Sequence, residues 1–287
     1  MTEPFDDSVV GRWSVPLPYI VERSAIVEYA LGTNDDSPAC LSGDVAPPVF
    51  ALVPLFAIRG VEPVVVEEHR HEMAGRTVHG EHAMIFHRPL RPGDEVTIRS
   101  ATIGIHARSS GVVAISKFET RDVLGGMLNE QFMTAYFRGV SSTIDIGENA
   151  PKLSSFRHTD DGKLIGSLTY PIDADQAVRY AQASNDFHNI HLDEEFARSV
   201  GLPGAVLHGM CLLAFATRAV REITGCSGPE AIRQLGCRFA RPILPGDDVT
   251  TRVFCLSDSG QSTDVGFECL NSGGEMVLSA GYAQLAS

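Results

Sequence analysis

The sequence predicts an α+β protein built from two copies of one unit, and three observations support this. Residues 86–97 read FHRPLRPGDEVT and residues 239–250 read FARPILPGDDVT, so Phe, Arg, Pro, Pro, Gly, Asp, Val and Thr recur at a constant offset. In the second copy, helical patterns precede a run of strands, the order of an α+β antiparallel unit. Residues 143–168 are rich in Ser, Gly, Asp and Lys and show little periodicity, which is typical of a linker. We therefore expect domains at 1–142 and 169–287.

The first copy begins with a helical pattern at 22–31, and an apolar helix is expected over 47–58. That second helix opens with two prolines, which the first helical turn tolerates because its N–H groups have no intrahelical partner. Strands are expected where β-branched and aromatic residues alternate between turn signals. These strands lie near 64–70, 80–88, 94–104, 111–120 and 127–138.

The second copy follows the same order with clearer signals. Residues 173–183 carry two aspartates as N-cap candidates ahead of apolar positions and predict a short helix. A second short helix is expected over 193–200, and a longer apolar helix over 205–224 ends before Gly225. Strands separated by Pro-Gly, Ser-Gly and Gly-Gly turns complete the unit, near 231–240, 247–257, 262–270 and 275–285.

Composition excludes several classes of function. The chain has 287 residues, of which 44% are hydrophobic and 21% charged, the balance of an ordinary soluble globular protein. Its formal charge of −13 would repel a phosphate backbone, so no nucleic-acid partner is expected. The acidic start, MTEPFDDSVV, lacks the pattern of a signal peptide, and no apolar run approaches the ~20 residues of a membrane span. We expect a cytoplasmic protein with no membrane partner.

A structural metal site is not expected from the cysteines or from the histidine-rich segment. The six cysteines form no CxxC pair and have no close Cys/His spacing, so they are expected to be free thiols. Residues 67–72, EEHRHE, offer two imidazoles and three carboxylates. A solvated edge strand or hairpin explains this mixture of charges more simply than a metal site does.

The stretch 184–210, SNDFHNIHLDEEFARSVGLPGAVLHGM, carries the chemistry. Asp186 and His191 lie five positions apart in a segment without helical pattern. Near neutral pH the carboxylate is ionised, whereas the imidazole can hold or release a proton. Together they can bind a water, remove one proton and return another, which is what adding or eliminating water requires. The alternative interpretation is a polar loop in which Asp186 caps a turn and His191 only packs.

Residues 207–210 fall near the expected start of the long apolar helix. The unsatisfied N–H groups and the positive end of the helix dipole can polarise a carbonyl oxygen there. Gly209 would allow a ligand to approach this backbone closely. A loop acid–base pair and a helix-terminus oxyanion site together predict a site for an α,β-unsaturated carbonyl compound.

At these residues the chain resembles the MaoC-like, (R)-specific enoyl-CoA hydratase (hydratase 2) family. The family signature reads Gly-Asp-x-Asn-Pro-Ile/Leu-His-x-Asp and is followed by His-Gly-Met or His-Gly-Leu. The matching positions are Asp186, Ile190, His191, Asp193, His208, Gly209 and Met210. The resemblance covers roughly 170–285, and the first half is similar to the degenerate N-terminal domain of double hot-dog dehydratases. It implies a double hot-dog fold, in which an antiparallel sheet wraps a long helix twice over.

The resemblance also implies roles for individual residues. Asp186 and His191 would be the catalytic pair, and the Gly209 amide, with His208 beside it, would bind the thioester oxygen. Thr217 matches a position where some relatives have a hydroxyl residue in the site. Its alternative role is that of a helix threonine bonded to its own backbone.

The loop departs from the family signature in three places. Asn185, His188 and Asn189 stand where the family has Gly, Asn and Pro. Losing the proline removes a fixed φ, so the loop can follow a different path. His188 is a candidate ligand-binding group, an alternative base or a surface residue, and Asn189 is a candidate substrate contact.

The first copy has lost the acid–base pair. An offset of 151 places Asp35 on Asp186, but Cys40 stands opposite His191. Residues 78–80, Val-His-Gly, are expected in a strand rather than at a helix start. We interpret the first half as a scaffold whose groove holds the acyl tail, in preference to a second active site.

The sequence thus predicts a hydro-lyase acting between a trans-2-enoyl thioester and a 3-hydroxyacyl thioester, with (3R) stereochemistry implied by the resemblance. The expected partner is an acyl thioester of coenzyme A or acyl carrier protein, which Arg238 and Arg241 would help to bind. No cofactor is needed because the thioester itself acidifies the C2 proton. The alternatives are a thioesterase, an enzyme adding another nucleophile, and a non-catalytic acyl-binding subunit. Because two fused units pair internally, a monomer and a homodimer are both expected.

Overall fold

The computed structural model describes residues 3–58, 63–153, 162–226 and 228–286. The α-helices in these ranges are α1 (Arg23–Gly32), α2 (Pro38–Leu41), α3 (Val53–Ile58), α4 (Arg70–Ala74), α5 (Gln176–Ser184), α6 (Glu194–Ser199) and α7 (Gly209–Thr224). The strands are β1 (Leu17–Ile20), β2 (Thr77–Phe86), β3 (Glu95–Arg108), β4 (Gly111–Asp122), β5 (Met127–Arg138), β6 (Asp145–Gly147), β7 (Lys163–Pro171), β8 (Ile232–Phe239), β9 (Asp248–Asp258), β10 (Ser262–Asn271) and β11 (Met276–Ala286). No helix among the described residues is both long and apolar enough to cross a bilayer.

The strands form one antiparallel sheet in the order β1-β3-β4-β5-β2-β8-β11-β10-β9-β7, with β6 added on β3. The first five strands and the last five repeat the same connectivity, because β1 to β5 correspond in order to β7 to β11. The two halves join where β2 pairs with β8, with Ala83 opposite Gly236 and Met84 opposite Leu235. We call the two halves the first unit and the second unit, and the β2–β8 pair the seam.

Backbone hydrogen bonds at the repeated Pro-Gly-Asp turns confirm that the units are copies. Gly93 N donates to Val21 O, and Gly246 N donates to Ile172 O, both at 2.8 Å. The two glycines have φ of +85° and +89°, a conformation that residues with a Cβ rarely adopt. The repeated sequence therefore specifies the same turn twice, and the predicted α+β double hot-dog is the observed fold.

The second unit wraps its sheet around α7, the predicted long apolar helix. Eleven of its sixteen residues are buried, and residues such as Leu213 and Phe215 belong to the main hydrophobic core. Fully burying a side chain of this size contributes roughly 1.5–3 kcal/mol. The helix ends at Gly225, whose left-handed φ of +69° allows its N–H to bond back to Arg221 O and Glu222 O.

The first unit has a shorter counterpart of α7. Residues 48–52 form a 3₁₀ turn, and α3 adds six residues to it. Three prolines, Pro47, Pro48 and Pro54, lie in this stretch. Because proline lacks an N–H, none of the three can donate a main-chain hydrogen bond, and one regular helix over the whole stretch is interrupted.

The predicted strand near 64–70 is wrong. Its last residues form a 3₁₀ turn, 67–69, and then α4, while Val65 makes only an isolated bridge to Phe5. Helical spacing brings the charges of this segment together, since Arg70 pairs with Glu67 three residues earlier. The segment is therefore not an edge strand or hairpin, as its mixture of charges suggested.

Two element boundaries also differ from expectation. Helix α7 begins at Gly209 rather than at residue 205. In the expected linker, 143–168, β6 pairs with β3, and the first part of β7 pairs with β9. Residues 154–161 of that linker lie outside the described residues. The edge strand of the second unit thus starts before the expected boundary of the second domain.

Candidate functional site

The site begins where α5 ends. Asn185 adopts a left-handed φ of +63° and turns the chain out of the helix, so that Asp186 follows directly. The Asp186 Oδ1 accepts from the His188 backbone N–H at 3.3 Å. A 3₁₀ turn over 189–191 then presents His191, and the Asp193 carboxylate caps α6 by accepting from Phe196 N. The loop is therefore shaped by its own side chains.

The tautomer of His191 is set by a backbone carbonyl. Its Nδ1 lies 2.8 Å from Val206 O, an atom that can only accept, so Nδ1 carries the proton. Its Nε2 is consequently an unprotonated acceptor. Burial lowers the pKa of His191 from its ordinary value, against an opposite effect of the Asp186 charge. His191 is thus held as a neutral imidazole with a free lone pair, which is the state of a general base.

His208 packs against His191 at the start of α7. The two rings stack with centroids 3.7 Å apart and an angle of 26°, and Tyr180 lies on His208 at 4.8 Å. The His208 Nε2 lies 3.0 Å from the Asp186 backbone carbonyl and donates to it. Burial, with a smaller effect of His191, lowers the pKa of His208 to about 3, so this ring is neutral. His208 thereby links the Asp186 loop to the helix terminus.

Asp186, His191 and His208 each bring one possible ligand atom within 4.8 Å of the others. The His191 Nδ1 and the His208 Nε2 are each committed to a backbone carbonyl, which leaves the other nitrogen of each ring for a ligand. Groups this close together can share one small molecule such as water.

The first turn of α7 supplies the electrophilic side of the site. His208 is its N-cap residue and Gly209 its first helical residue, so the amides here lie at the positive end of a 16-residue helix. A Cβ at Gly209 would lie 3.0 Å from the Phe239 ring, tighter than ordinary packing. A side chain at position 209 would therefore require the Phe239 ring or the helix start to shift by a few tenths of an ångström.

The other predicted site residues lie around this centre. His188 and Asn189 are exposed in the same loop, and His188 Nδ1 accepts from Ile190 N at 3.3 Å. Thr217 is buried two turns along α7, where its hydroxyl donates to Leu213 O at 2.7 Å. That hydrogen bond favours the structural role of Thr217, because its only proton is committed to the backbone.

The two arginines expected to help bind the anionic carrier each face a carboxylate. Arg238 pairs with Glu81 across the seam at 2.7 Å, and Arg241 lies 4.0 Å from Glu275. Both are exposed, so neither pair contributes much to stability. Their guanidinium groups remain accessible to a phosphate that competes for them.

The equivalent position in the first unit is closed by an ion pair. Asp35, the counterpart of Asp186, is 5% exposed and lies 2.5 Å from Arg221 of α7. Cys40, opposite His191, is buried, and burial raises the pKa of its thiol to about 11. A protonated thiol and a paired carboxylate do not form an acid–base pair.

The oxyanion position of the first unit is also lost. Ala46 N donates to Leu90 O, as Leu207 N donates to Ile243 O in the second unit. This correspondence places Pro48 on Gly209. Proline has no N–H to offer an oxyanion, so the first unit lacks the electrophilic half of the site as well.

Three further residues contribute to the site, and no sequence motif identified them as site residues. Val206 contributes a backbone carbonyl, which no side-chain pattern reveals. Tyr180 and Phe239 pack on His208 and Gly209 through contacts that arise only in the folded chain. Phe239 is the first residue of the repeated motif, and that repeat was the signal available for it.

Comparison with known proteins supports the fold. Residues 156–267 match the MaoC like domain, and residues 8–123 match the FAS1-like dehydratase domain region. Residues 156–267 thus carry a MaoC-like domain. The MaoC-like match spans the loop with Asp186 and His191 and the whole of α7.

Relatives of the chain include enzymes of thioester metabolism. It is 25% identical over 193 residues to "Enoyl-CoA hydratase 2, peroxisomal" of Arabidopsis thaliana, covering 62% of this chain and 59% of the relative. It is 26% identical over 183 residues to "3-hydroxyacyl-thioester dehydratase Y" of Mycobacterium tuberculosis, covering 62% and 61%. The chain therefore spans about 60% of the length of these relatives.

Two solved structures share the fold over nearly the whole chain. A MaoC-like dehydratase from Phytophthora capsici superposes with a TM-score of 0.83 at 20% identity, covering 98% of both chains. A Mycobacterium tuberculosis protein described as having a double hotdog fold gives 0.67 at 14% identity, covering 99% of both. At these identities the likeness establishes the architecture alone.

Proposed function

We propose that this protein adds water to a trans-2-enoyl thioester and removes it from the corresponding 3-hydroxyacyl thioester. The observation that carries the proposal is that the Asp186 carboxylate and the His191 imidazole converge beside the first turn of α7. An acid–base pair facing a helix terminus is what this reaction needs, because a proton moves while negative charge builds on the thioester oxygen.

In the hydration direction, a water donates hydrogen bonds to Asp186 and to His191 Nε2. As its oxygen bonds to C3, His191 takes one proton, and the C2–C3 π electrons move towards the thioester carbonyl. The Gly209 amide stabilises the resulting oxyanion. A proton then returns from the pair to C2, so one water is added and the enzyme ends as it began. Dehydration runs through the same steps in reverse.

The acyl tail has a place in the first unit. A cavity of about 430 Å³ lies between the inner face of the β2-β4-β5 sheet and the segment before β2. Its lining includes Thr77, Ser116, Met133 and Ala135 from the sheet and Met73 from α4. This lining is mostly apolar, as expected of a site that takes a hydrocarbon tail. We infer that the unit without catalytic residues serves as the acyl-binding half.

The test is to follow loss of the conjugated chromophore in a panel of 2-enoyl-CoA and 2-enoyl-acyl-carrier-protein thioesters. We expect Asp186→Asn and His191→Ala each to lower kcat/KM by roughly 10²–10⁴-fold, the usual contribution of general acid–base catalysis. His87→Ala, which changes an exposed histidine of the first unit, serves as the control. Wild-type-like activity in both site variants would refute the assigned pair.

The same assay separates this function from its rivals. Release of free thiol without hydroxyacyl product would identify a thioesterase, and tight binding without turnover would identify an acyl-binding subunit. Chiral analysis of the product tests the (3R) assignment, and comparison of the two carriers decides between coenzyme A and acyl carrier protein. Full activity after exhaustive chelation is expected, because every step above uses only protein groups and water.

A further inference from the structure

The cavity of about 430 Å³ in the first unit, which we call the acyl cavity, is not lined by apolar groups alone. Among the described residues that line it, Arg70, Thr77 and Ser116 carry polar side chains, and the other seven are apolar. In ligand sites, a few polar groups in an apolar lining fix the orientation of the ligand and provide specificity. These three side chains therefore bear on which tail the acyl cavity prefers.

Ser116 brings an unpaired hydroxyl to the wall of the acyl cavity. It is 6% exposed and alternates with Ala114 on β4, so the two side chains lie on the same face of the sheet. The Ser116 side chain makes no hydrogen bond to any described part of the chain, whereas the Thr77 hydroxyl donates to Met73 O at 2.7 Å. Buried hydroxyls are normally paired, so Ser116 has a hydrogen bond to offer to a ligand.

Arg70 is the one charged residue among the described residues that line the acyl cavity. It is the first residue of α4, and its guanidinium pairs with Glu67 one turn earlier. The two side chains are 49% and 78% exposed, so this ion pair is weak, and other groups can compete for its partners. A guanidinium has five N–H donors, which a single carboxylate oxygen does not use up. Arg70 can therefore receive a second carboxylate at the opening of the cavity.

The charge of Arg70 distinguishes between the possible ends of an acyl tail. A methyl end gains nothing from a guanidinium, and a hydroxyl end gains only a hydrogen bond from it. A carboxylate end gains a charge-assisted hydrogen bond, and its planar shape fits the guanidinium fork. A carboxylate can also accept from the Ser116 hydroxyl, because each of its oxygens has two lone pairs. The polar lining thus matches a carboxylate better than any other common end of an acyl chain.

We propose that the acyl cavity takes a tail that ends in a carboxylate, with Arg70 as its counter-ion and the Ser116 hydroxyl as a second hydrogen-bond donor. This inference rests on the proposed function, because that function supplies the thioester whose tail enters the cavity. The preferred substrate class is therefore the 2-enoyl monothioester of a dicarboxylic acid rather than a plain fatty-acyl thioester.

The first measurement is calorimetric binding of saturated acyl-CoA thioesters in pairs of equal chain length, one ending in a methyl group and one in a carboxylate. Saturated thioesters cannot be dehydrated or hydrated, so the measurement does not depend on the reaction. We expect the carboxylate chain of one length to bind about tenfold more tightly than its partner, a modest value for a charge-assisted bond because Arg70 is half exposed. The preference should fall as salt is raised, because exposed charges are screened.

Substitutions of the charged pair test the role of Arg70. Arg70→Met keeps most of the apolar stem but removes the charge, and we expect it to abolish the preference without weakening the methyl-ended chain. Glu67→Gln removes the competing carboxylate and is expected to increase the preference, a gain that misfolding cannot imitate. Arg76→Met is the matched control, because Arg76 is 45% exposed, pairs with Glu72 at helical spacing and lies outside the lining of the cavity.

Ser116→Ala tests the second donor. We expect it to weaken binding of the carboxylate chain by about fivefold, the value of one neutral hydrogen bond, and to leave the methyl-ended chain unchanged. Thr102→Val is the control, because it removes a buried, unpaired hydroxyl of the same unit that lies outside the cavity lining. Circular dichroism and thermal unfolding establish that each variant is folded. The matching 2-enoyl thioesters are then compared by kcat/KM.

The outcomes separate this proposal from the proposed function. Equal binding of both members of every pair, or a preference that survives Arg70→Met, would overturn the carboxylate site even if hydration is observed. A preference that depends on Arg70 but is unchanged in Ser116→Ala would overturn the part given to Ser116. Absence of hydration together with an Arg70-dependent preference would overturn the proposed function and keep the carboxylate site.

Discussion

At the residue scale, the site depends on where protons are placed rather than on which titratable residues are present. A histidine near a carboxylate is common, but His191 is suited to act as the proposed base because Val206 O holds its Nδ1 proton and leaves Nε2 as an acceptor. The neutral His208 ring stacked on it blocks one face and leaves less room for solvent. The acid–base pair is therefore oriented by one backbone carbonyl and one stacked ring.

The pH dependence of activity follows from the direction of the His191 pKa shift. His191 must be neutral to take a proton from water, and burial lowers its pKa below the ordinary 6.5. The acid limb of log kcat/KM for hydration is therefore expected below pH 6.5. A pH–rate profile of the wild type measures it. An acid limb above pH 6.5 would show that the Asp186 charge outweighs burial.

At the scale of elements, the start of α7 is the junction between chemistry and fold. His208 ends the loop, contacts the Asp186 carbonyl and caps the helix, while Gly209 packs on Phe239 of the neighbouring strand. One short segment thus connects the acid–base loop, the oxyanion amides and the seam. We therefore expect a displacement of this segment to move the acid–base loop, the oxyanion amides and the seam together.

Gly209→Ala tests this junction. The added Cβ would lie 3.0 Å from the Phe239 ring, so either the ring or the helix start must shift. We expect kcat/KM to fall by up to about tenfold, because the shift needed is a fraction of the ångström that costs about a hundredfold. Gly75→Ala, at the end of α4 where a Cβ meets nothing within 4 Å, is the matched control. Equal kinetics in the two variants would contradict the role of Gly209.

The buried pair between Asp35 and Arg221 fastens α7 to the first unit and gives a second prediction at this scale. Both side chains are less than a tenth exposed, so Asp35→Leu would leave a buried unpaired cation. We expect the single variant to lower the free energy of unfolding by about 3–5 kcal/mol and the double variant Asp35→Leu/Arg221→Met by less. Urea unfolding of the two singles and the double provides the cycle. A double variant less stable than either single would show that the two losses add and that no unpaired buried charge is responsible.

At the scale of the whole molecule, two units of similar fold differ in the residues at equivalent positions. The second unit keeps the loop, the helix start and the oxyanion position, whereas the first has an ion pair, a protonated thiol and a proline in their places. The cavity between its sheet and the segment before β2 also lies in the first unit. The unit that lacks the candidate acid–base pair is thus the one with space for a ligand.

Acid should destabilise the whole molecule through its buried histidines. His82 and His208 are each 1% exposed, and their pKa values are lowered to about 4 and about 3. Between pH 6.5 and about 4 the unfolded chain binds protons that the folded chain does not, so stability falls as pH falls. The two groups together predict a loss of about 3 kcal/mol per pH unit in that window. Urea unfolding at several pH values measures the slope, and His82→Gln should lower it by about 1.4 kcal/mol per pH unit, the share of one histidine.

Much of the fold was accessible from local sequence. The repeated Pro-Gly-Asp turn, the strand alternation and the apolar run before Gly225 specify their elements because turn and periodicity rules act over a few neighbouring residues. The strand predicted for 64–70 was wrong because the β-branched residues at its start favour a strand, whereas Glu67 and Arg70 form an ion pair at helical spacing. The observed structure also depends on packing of this segment against the core of the first unit, which the local sequence does not show.

The doubling of the unit, the α+β order and the candidate pair Asp186 and His191 could be read from the chain, since identity and spacing are properties of the sequence. The folded structure was needed to show that His208 stacks on His191, that Arg221 pairs with Asp35, and that His79 packs on Phe239. Each of these contacts joins residues far apart in the chain, and their partners are chosen by sheet register and helix packing. Those are collective outcomes of burying one core, which no local pattern contains.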